Sequence, residues 1–453
     1  MPPAVSFSRF LGLDRTVKWL LLTRLLQMSV GPINALMIIH FLTPENQGLF
    51  YTFASLIGVQ AFFELGSGYV MMQLTSHLTA EIDHGVASER KTAATARLSS
   101  LVRQGACWYS IAAIAYIVAL IVGGTLFISR SHAFTADNGA LPWRIAVIAS
   151  GVLLLTSPFF SVLEGRGLMA EVAKVRLCQA LSSAVAMALG LSLGLGLNAF
   201  ALGSVTNAAV AAGLLAKLHG RYFLELWKAH DSRHSVRWFN EVVPFQWRIA
   251  ASWMAGYVLF NSPVPILFSM RGAAEAGRLG LTQQVVGAIG SISLVWVSSK
   301  APMFGSLIAQ AKFADLDRAF MTSLWRAVAV AVGGSVLIGG MFFLLRVYRP
   351  DLAGRLVDAP AFVALLVCGV CNLFISSFAI YLRAYKRDPL VWVSIGAAGL
   401  VFLVSPLVAK SSGALGLILV YGAVWCVGGF AWAYWLTAEQ RRKAAGTGYA
   451  VAI

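Results

Sequence analysis

The sequence predicts an all-α membrane protein that crosses the bilayer many times. The chain is 58% hydrophobic and only 12% charged, whereas a soluble domain is about one quarter charged. Its mean hydropathy is +0.75. Apolar stretches of about 18 residues or more, each long enough for a transmembrane helix, recur along all 453 residues.

Twelve spans account for the apolar stretches. We place them at 17–41, 48–75, 101–128, 143–163, 173–195, 198–219, 246–270, 278–303, 322–346, 360–382, 390–409 and 414–436. The first stretch is too long for a secretory signal, has no small-residue cleavage site after it and is followed by further spans. We therefore expect it to remain as a membrane helix.

The basic residues indicate the orientation of the spans. Of 35 Lys and Arg residues, 26 fall in the two termini and in every second connecting segment, and eight fall in the other segments. The positive-inside rule places the richer set in the cytoplasm, so both termini are predicted to be cytoplasmic. The net charge of +16 then reflects topology and contact with anionic lipid headgroups, and not a nucleic-acid partner.

A weak internal repeat predicts two halves of six spans each. Residues 31–50 resemble residues 262–281, with Gly48 matching Gly277 after a two-residue slip; chance likeness between apolar stretches is the alternative. We expect a six-helix bundle at 1–220, a cytoplasmic linker at 221–245 and a second six-helix bundle at 246–453. The linker is either an amphipathic helix on the membrane surface or a plain connection.

Two successive spans carry polar side chains at helical spacing. These are Arg24, Gln27, Gly31 and Asn34 in span one, and Gln60, Glu64 and Ser67 in span two. Counting ~1.5 Å per residue places Arg24 and Glu64 in the same layer, closer to the cytoplasmic side. Either the two form an ion pair that fixes helix packing, or Arg24 meets an anionic substrate while Glu64 holds it or takes up a proton or sodium ion.

The second half carries a polar face of its own. Trp253, Tyr257 and Asn261 follow one another at four-residue spacing in span seven, near Arg248, and Lys300 lies at the lower end of span eight. Aromatic and amide groups suit sugar rings, and cations suit phosphate. The alternatives are packing for the two aromatic residues and interfacial anchoring for the two cations.

No catalytic constellation is present, so we expect a protein that is not an enzyme and needs no cofactor or metal. Phosphate-binding loops, nucleophile elbows and zinc-binding helices are absent from the sequence. Cys368 and Cys371 form a C-x-x-C, but without a second pair we interpret them as small residues on one helix.

Three segments carry a family resemblance. The first is FLTPENQGLF with the later QAFFELGSGYV; the others are EGRGLMAEVAKVRLCQALSS (164–183) and KAPMFGSLIAQAKFADLDRAF (300–320). Together they resemble the polysaccharide-type flippases of the MATE-like (MOP) superfamily, whose first hairpin has an L-x-P-E-x-x-G-L/F loop and then Asp-Leu-Gly. Here the matching residues are Leu42, Pro44, Glu45, Gly48, Leu49 and Glu64-Leu65-Gly66, with glutamate replacing the usual aspartate.

The resemblance implies twelve transmembrane helices in two six-helix bundles and a flippase for O-antigen or exopolysaccharide repeat units. Such a protein moves a polyprenyl-diphosphate-linked oligosaccharide from the cytoplasmic to the outer leaflet of the bacterial inner membrane, by alternating access through a cationic cavity. Its expected partners are that lipid-linked oligosaccharide, membrane lipids, and the polysaccharide polymerase and glycosyltransferases of its pathway.

Two other functions compete with this interpretation. A cation-coupled multidrug antiporter of the same superfamily would carry more acidic groups in its cavity than the single Glu64. A membrane glycosyltransferase, polymerase or ligase would need acceptor chemistry in large outer loops. The longest outer segments, 129–142 and 347–359, are short and lack suitably paired carboxylates.

Overall fold

The computed structural model describes residues 34–84, 88–130, 134–229, 235–309, 312–385 and 390–446. Within these ranges the regular structure is helical and contains no strand. Packing divides the chain into two units: unit 1 comprises Met1–Met37 and Leu56–Trp253, and unit 2 comprises Ile38–Ser55 and Met254–Ile453. The chain therefore enters unit 2 early, for residues 38–55, before it builds the rest of unit 1. The domain division at 220 and 246 stays a prediction.

The first part of the chain forms a series of helices joined by short turns. They are α1 (34–41), α2 (Pro44–Ile57), α3 (Gln60–Glu64), α4 (Ser67–His84), α5 (Ser88–Ala119), α6 (Leu141–Gly165), α7 (Met169–Ser192) and α8 (Asn198–Lys228). A π-helical turn, Leu120–Gly124, extends α5 to Ile128, and another, Ala136–Ala140, precedes α6.

The second part of the chain is also helical. Its helices are α9 (Val243–Asn261), α10 (Pro263–Arg271), α11 (Ala273–Ser298), α12 (Ala301–Ala309), α13 (Phe313–Tyr348), α14 (Ala359–Ala384), α15 (Val391–Tyr421) and α16 (Phe430–Gly446). π-Helical segments Trp238–Val242 and Gly422–Gly429 lead into α9 and α16. Proline occupies the first turn of α6, α10 and α14, where its missing N–H has no helical partner to lose.

Span two is not the single helix predicted from hydropathy. It breaks into α2, α3 and α4, and the chain bends by 47° between residues 44–64 and 67–79. The second break lies at Leu65 and Gly66, with φ values of 50° and 67°, in the left-handed region that a branched residue such as leucine rarely adopts. Ser67 therefore does not continue the helical face of Gln60 and Glu64, which corrects the predicted stripe. Hydropathy shows only an unbroken apolar run, because it carries no information about the backbone conformation at this turn.

Spans eleven and twelve meet at one residue. The helical run Val391–Arg442 has 52 residues, roughly 78 Å at ~1.5 Å per residue, far more than a bilayer core of ~30 Å. Gly413 interrupts it with φ 59° and ψ −141°. A Cβ placed on Gly416 would come within 2.5 Å of the side chain of Val408, so the chain turns sharply here. The predicted break between these two spans, at 410–413, is confirmed.

The linker predicted at 221–245 does not form one amphipathic helix. Its first part, including Phe223 and Leu226, continues α8 to Lys228, while residues 235–237 are not helical. Its later part is tied to α5 within unit 1. Arg97 forms an ion pair with Glu241 at 2.7 Å, and the backbone of Val236 accepts from Gln104 and donates to Ser100. These bonds satisfy backbone groups that a surface helix would pair internally.

Hydropathy and length identify eight helices of the described chain as long enough to cross a membrane, or nine when the bent span two is counted. That total treats Val391–Arg442 as one span, although Gly413 divides it. Span one, predicted at 17–41, lies mostly outside the described residues, so the total of twelve stays a prediction. The chain is a multi-pass helical membrane protein.

Small residues and aromatic rings hold the helices of each unit together. In unit 1 the Ser183 hydroxyl of α7 donates to the carbonyl of Gly203 in α8 at 2.8 Å, a close approach that glycine permits between membrane helices. Trp143 of α6 is fully buried. In unit 2 the rings of Phe342 and Phe362 stack with centroids 4.0 Å apart and join α13 to α14.

Candidate functional site

Glu64 is the last residue of α3, directly before the left-handed turn at Leu65 and Gly66. The hydroxyl of Ser67, which opens α4, donates to the backbone carbonyl of Glu64 at 2.6 Å. This bond satisfies a carbonyl that the interrupted helix leaves without a partner. The sequence therefore builds a bend that ends one helix at the carboxylate and starts the next with a hydroxyl.

The carboxylate of Glu64 has a defined environment in unit 1. The buried Tyr109 of α5 donates its hydroxyl to Glu64 Oε1 at 3.1 Å. A Cβ on Gly68 would lie 3.0 Å from both Glu64 Oε1 and the hydroxyl oxygen of Ser161 in α6. Gly68 thus leaves the space that the carboxylate occupies between α4, α5 and α6.

This arrangement can hold a charge or a proton. A carboxylate has room for several donors, and only the bond from Tyr109 is formed here by the described side chains. Glu64 is partly exposed, so its remaining acceptor sites can meet water, a cation or a basic side chain. A membrane-embedded carboxylate placed in this way marks a functional site unless it is permanently paired.

The predicted partners of Glu64 in span one divide into two groups. Arg24 and Gln27 lie outside the described residues, so the Arg24–Glu64 pair stays a prediction. Asn34 lies in α1 and is half-buried, and Gln60 opens α3 and is half-buried too. Sequence reasoning missed Tyr109, because a lone tyrosine inside an apolar span gives no signal. It also missed Gly68, although a glycine one helical turn after a carboxylate inside an apolar span indicates that the carboxylate needs space there.

The predicted face of span seven lies on α9. The hydroxyl of Tyr257 donates to the backbone carbonyl of Ser55 at 2.7 Å within unit 2, near the end of α2. Asn261 is exposed at the last turn of α9. Trp253 and Arg248 belong to the same helix, but their side chains lie outside the described part of the chain. Tyr257 therefore has a structural contact that its spacing alone did not reveal.

Lys300 lies in the turn between α11 and α12, and it is half-buried. Its backbone N–H donates to Val297, and its carbonyl accepts from Phe304, so the backbone of this residue links the two helices. Among the residues the structure describes, no side chain forms an ion pair with Lys300. Its predicted role toward phosphate stays a prediction.

The repeat-matched glycines lie against each other in unit 2. A Cβ on Gly48 of α2 would fall within the backbone of Ala273, and one on Gly277 of α11 would come 2.7 Å from the backbone nitrogen of Gly48. The buried Gln47 stabilises this contact, since its side-chain NH₂ group donates to the carbonyls of Gly277 and Arg355 at 3.0 and 3.1 Å. Two helices approach here at backbone distance.

Cys368 and Cys426 come together in unit 2, a contact that the C-x-x-C spacing of Cys368 and Cys371 alone could not show. The thiol of Cys368 on α14 donates to the backbone carbonyl of Ile418 at 3.9 Å. Cys426 also points its sulfur at the Cys368 carbonyl, 3.7 Å away. Within the described chain no set of His, Cys, Asp or Glu side chains is arranged to hold a metal ion.

Comparison with known proteins identifies the fold. No family model matches the sequence, and no curated protein matches it. Solved structures do match. An inward-facing multidrug resistance MATE family transporter of the MOP superfamily has a TM-score of 0.64 at 10% identity, covering 94% of this chain and 100% of that one.

Further matches agree with this result. An outward-facing MATE family transporter of the same superfamily has a TM-score of 0.59 at 12% identity, covering 97% of this chain and 99% of its own. The MATE multidrug transporter DinF-BH has a TM-score of 0.59 at 13% identity, covering 95% of this chain and 97% of its own. This protein has the fold of the MATE transporters.

Proposed function

We propose that this protein is a flippase for polyprenyl-diphosphate-linked oligosaccharide repeat units, working by alternating access during O-antigen or exopolysaccharide biosynthesis. The observation that carries the proposal is the first hairpin. Its Pro44-Glu45-x-x-Gly48-Leu49 sequence opens α2 with backbone-close packing at Gly48, and Glu64-Leu65-Gly66 forms the turn after α3. This combination resembles the polysaccharide-type branch of the superfamily.

The charge of the described interior supports a substrate that is not cationic. Within the spans predicted from hydropathy, Glu64 is the one acidic side chain among the described residues. An exporter of cations would gain from several carboxylates in its cavity. Arg24, if it faces the same cavity, supplies positive charge suited to a diphosphate.

The membrane location, orientation and partners of such a flippase follow from its substrate. Both termini face the cytoplasm of a bacterial inner membrane, as the distribution of basic residues indicates. The enzymes that assemble the lipid-linked unit inside and polymerise it outside are the proposed partners. The protein itself moves the substrate without making or breaking a bond.

A second candidate is a cation-coupled multidrug antiporter. It is favoured by the matched structures, which are multidrug transporters. The two candidates differ in what crosses the membrane, and this decides the experiment.

Purified protein in liposomes that contain a fluorescent polyprenyl-diphosphate oligosaccharide tests the proposal. We expect a membrane-impermeant quencher added outside to quench the label of both leaflets, because flipping brings the inner-leaflet label to the outer leaflet. We expect no uptake of a cationic dye driven by a proton or sodium gradient. Dye transport without movement of the lipid-linked oligosaccharide would refute the flippase and establish the antiporter.

A further inference from the structure

Unit 2 contains a partly open cavity of about 230 Å³ between α9, α10, α11, α14 and α15. This volume is several times the ~30 Å³ that one water molecule takes up in the liquid, so a ligand the size of a single sugar ring can enter. The lining contains no charged side chain. It is separate from the surroundings of Glu64, which belong to unit 1.

The cavity presents hydrogen-bonding groups that the protein leaves free. Among the described residues, neither the side-chain amide of Gln283 nor the hydroxyl of Tyr421 has a hydrogen-bond partner. Asn372 accepts from the indole N–H of Trp425 through Oδ1 at 3.2 Å, so its NH₂ group remains available. Two amides and a phenol from three helices thus offer donors and acceptors to the cavity.

The side chain of Asn372 is held by Trp425, a residue of a π-helical segment. Trp425 lies in the π-helical segment Gly422–Gly429, a conformation that often occurs at functional sites. The indole holds one end of the amide and thereby leaves the other end for a ligand. The rings of Phe260 and Tyr421 meet edge to face with centroids 6.1 Å apart and supply an aromatic surface to the same cavity.

The cavity lies within the predicted membrane-spanning part of unit 2. Gln283 comes ten residues after the start of α11 at Ala273, and Tyr421 comes eight residues after the turn at Gly413. At ~1.5 Å per residue these positions are about 15 and 12 Å from the helix ends, within a core of ~30 Å. Transporters with repeated halves bind their substrates inside the membrane core.

The lining chemistry selects the occupant. A charged group would lose its hydration here and find no countercharge. A prenyl or acyl tail would leave the amides of Gln283 and Asn372 and the hydroxyl of Tyr421 unsatisfied, which costs about 1–3 kcal/mol for each group. An uncharged sugar meets both demands, because its hydroxyls bond to the amides while its apolar C–H face packs on an aromatic ring.

We propose that this cavity is a subsite for one uncharged pyranose ring of the transported glycan, bound through Gln283, Asn372 and Tyr421. The assignment rests on the proposed flippase function and adds the place where unit 2 recognises the sugar portion. It predicts that these three residues distinguish a glycan-bearing lipid from the same lipid without its glycan.

The test measures binding of two probes to the full-length protein in nanodiscs. The probes are the polyprenyl-diphosphate-linked repeat unit purified from the host and polyprenyl diphosphate without a glycan. Gln283→Leu, Asn372→Leu and the milder Tyr421→Phe are compared with Ser291→Ala, an exposed residue of α11 that does not line the cavity. Thermal unfolding of each variant confirms that it folds.

We expect each cavity variant to bind the glycan-bearing lipid about threefold to tenfold more weakly, the loss of one or two neutral hydrogen bonds, and to bind the bare lipid like wild type. Ser291→Ala should bind both probes normally. If the cavity variants keep full affinity for the glycan-bearing lipid, or lose affinity for both probes equally, the subsite is refuted while the flippase stands. If wild-type protein binds neither probe, the proposed function itself fails.

Discussion

At the scale of single residues, the environment of Glu64 shows how a carboxylate is kept inside an apolar span. Its surroundings combine one donor, Tyr109, with the space left by Gly68. A carboxylate with one bond and open acceptor sites can change its partner, whereas a fully paired one cannot. This difference separates a working group from a purely structural one.

Replacing Glu64 by glutamine tests whether its charge is used. Glutamine keeps an oxygen that accepts from Tyr109, so the fold should survive, but it can neither ionise nor release a proton. We expect Glu64→Gln to reduce flipping in liposomes at least tenfold, with an unfolding temperature close to wild type. Glu64→Asp keeps the carboxylate that resembling proteins carry and should retain activity. Normal flipping by Glu64→Gln would remove this charge from the mechanism.

Gly68→Ala tests the space around the carboxylate. The added Cβ would lie 3.0 Å from Glu64 Oε1 and from Ser161 Oγ, so these side chains must shift, which costs ~1–3 kcal/mol in a packed site. We expect a lower unfolding temperature and slower flipping. The matched control is Gly213→Ala in α8, where nothing lies within 4 Å of the new Cβ; equal stability of the two variants would contradict the packing described here.

The predicted pair of Arg24 and Glu64 is tested by exchanging the two charges. We expect Arg24→Ala to abolish surface display of the glycan while the protein still reaches the membrane, because the diphosphate loses its cation. Arg24→Glu combined with Glu64→Arg keeps a pair but moves the cation. Restored display in the double variant would show that the pair serves packing alone, and continued loss would support contact between Arg24 and the substrate.

At the scale of helices, the sequence predicted most elements because the ends of the apolar stretches coincide with residues that are typical of helix ends. Proline in the first turn at Pro360 marks the start of α14, and Gly413 marks the turn between spans eleven and twelve. Span seven was predicted as one helix, but it divides into α9 and α10 at Pro263. The breaks in span two escaped prediction, since Leu65 adopts a backbone conformation that its residue type does not favour. The docking of the linker on α5 depends on Arg97 and Glu241, which are 144 residues apart.

The contact between α2 and α11 depends on the absence of side chains at two glycines. A Cβ on Gly48 would overlap the carbonyl of Ala273, and backbone cannot move aside as a flexible side chain can. We expect Gly48→Ala to separate the helices, to break the bonds of Gln47, and to destabilise the protein by about 1–3 kcal/mol. The measurement is thermal unfolding in detergent.

Gly290→Ala is the control for that experiment. It lies on the same helix α11, and nothing is within 4 Å of its added Cβ. Alanine is the better helix former by about 1 kcal/mol, so this variant should be neutral or slightly stabilising. If Gly48→Ala behaved in the same way, the backbone contact would not hold the two helices together.

At the scale of the whole molecule, the two units have different chemistry. Unit 1 holds a carboxylate within its helices, and unit 2 holds an uncharged cavity of amides and aromatic rings. A lipid-linked oligosaccharide has the same division, since it joins a charged diphosphate to neutral sugars. Sequence periodicity located Glu64 but not the cavity, because Gln283, Asn372 and Tyr421 come from three helices whose packing the sequence does not show.

The direction of transport depends on topology, which cysteine labelling tests. In a variant without the five native cysteines, Ser235→Cys and Gly354→Cys each add one exposed site in segments predicted to face opposite sides. Because basic residues concentrate on the side of Ser235, a membrane-impermeant maleimide should label Gly354→Cys in intact cells and Ser235→Cys only after permeabilisation. The reverse pattern would invert the molecule and place Glu64 nearer the outer leaflet. Such a result would contradict the cytoplasmic position of both termini in the proposed flippase.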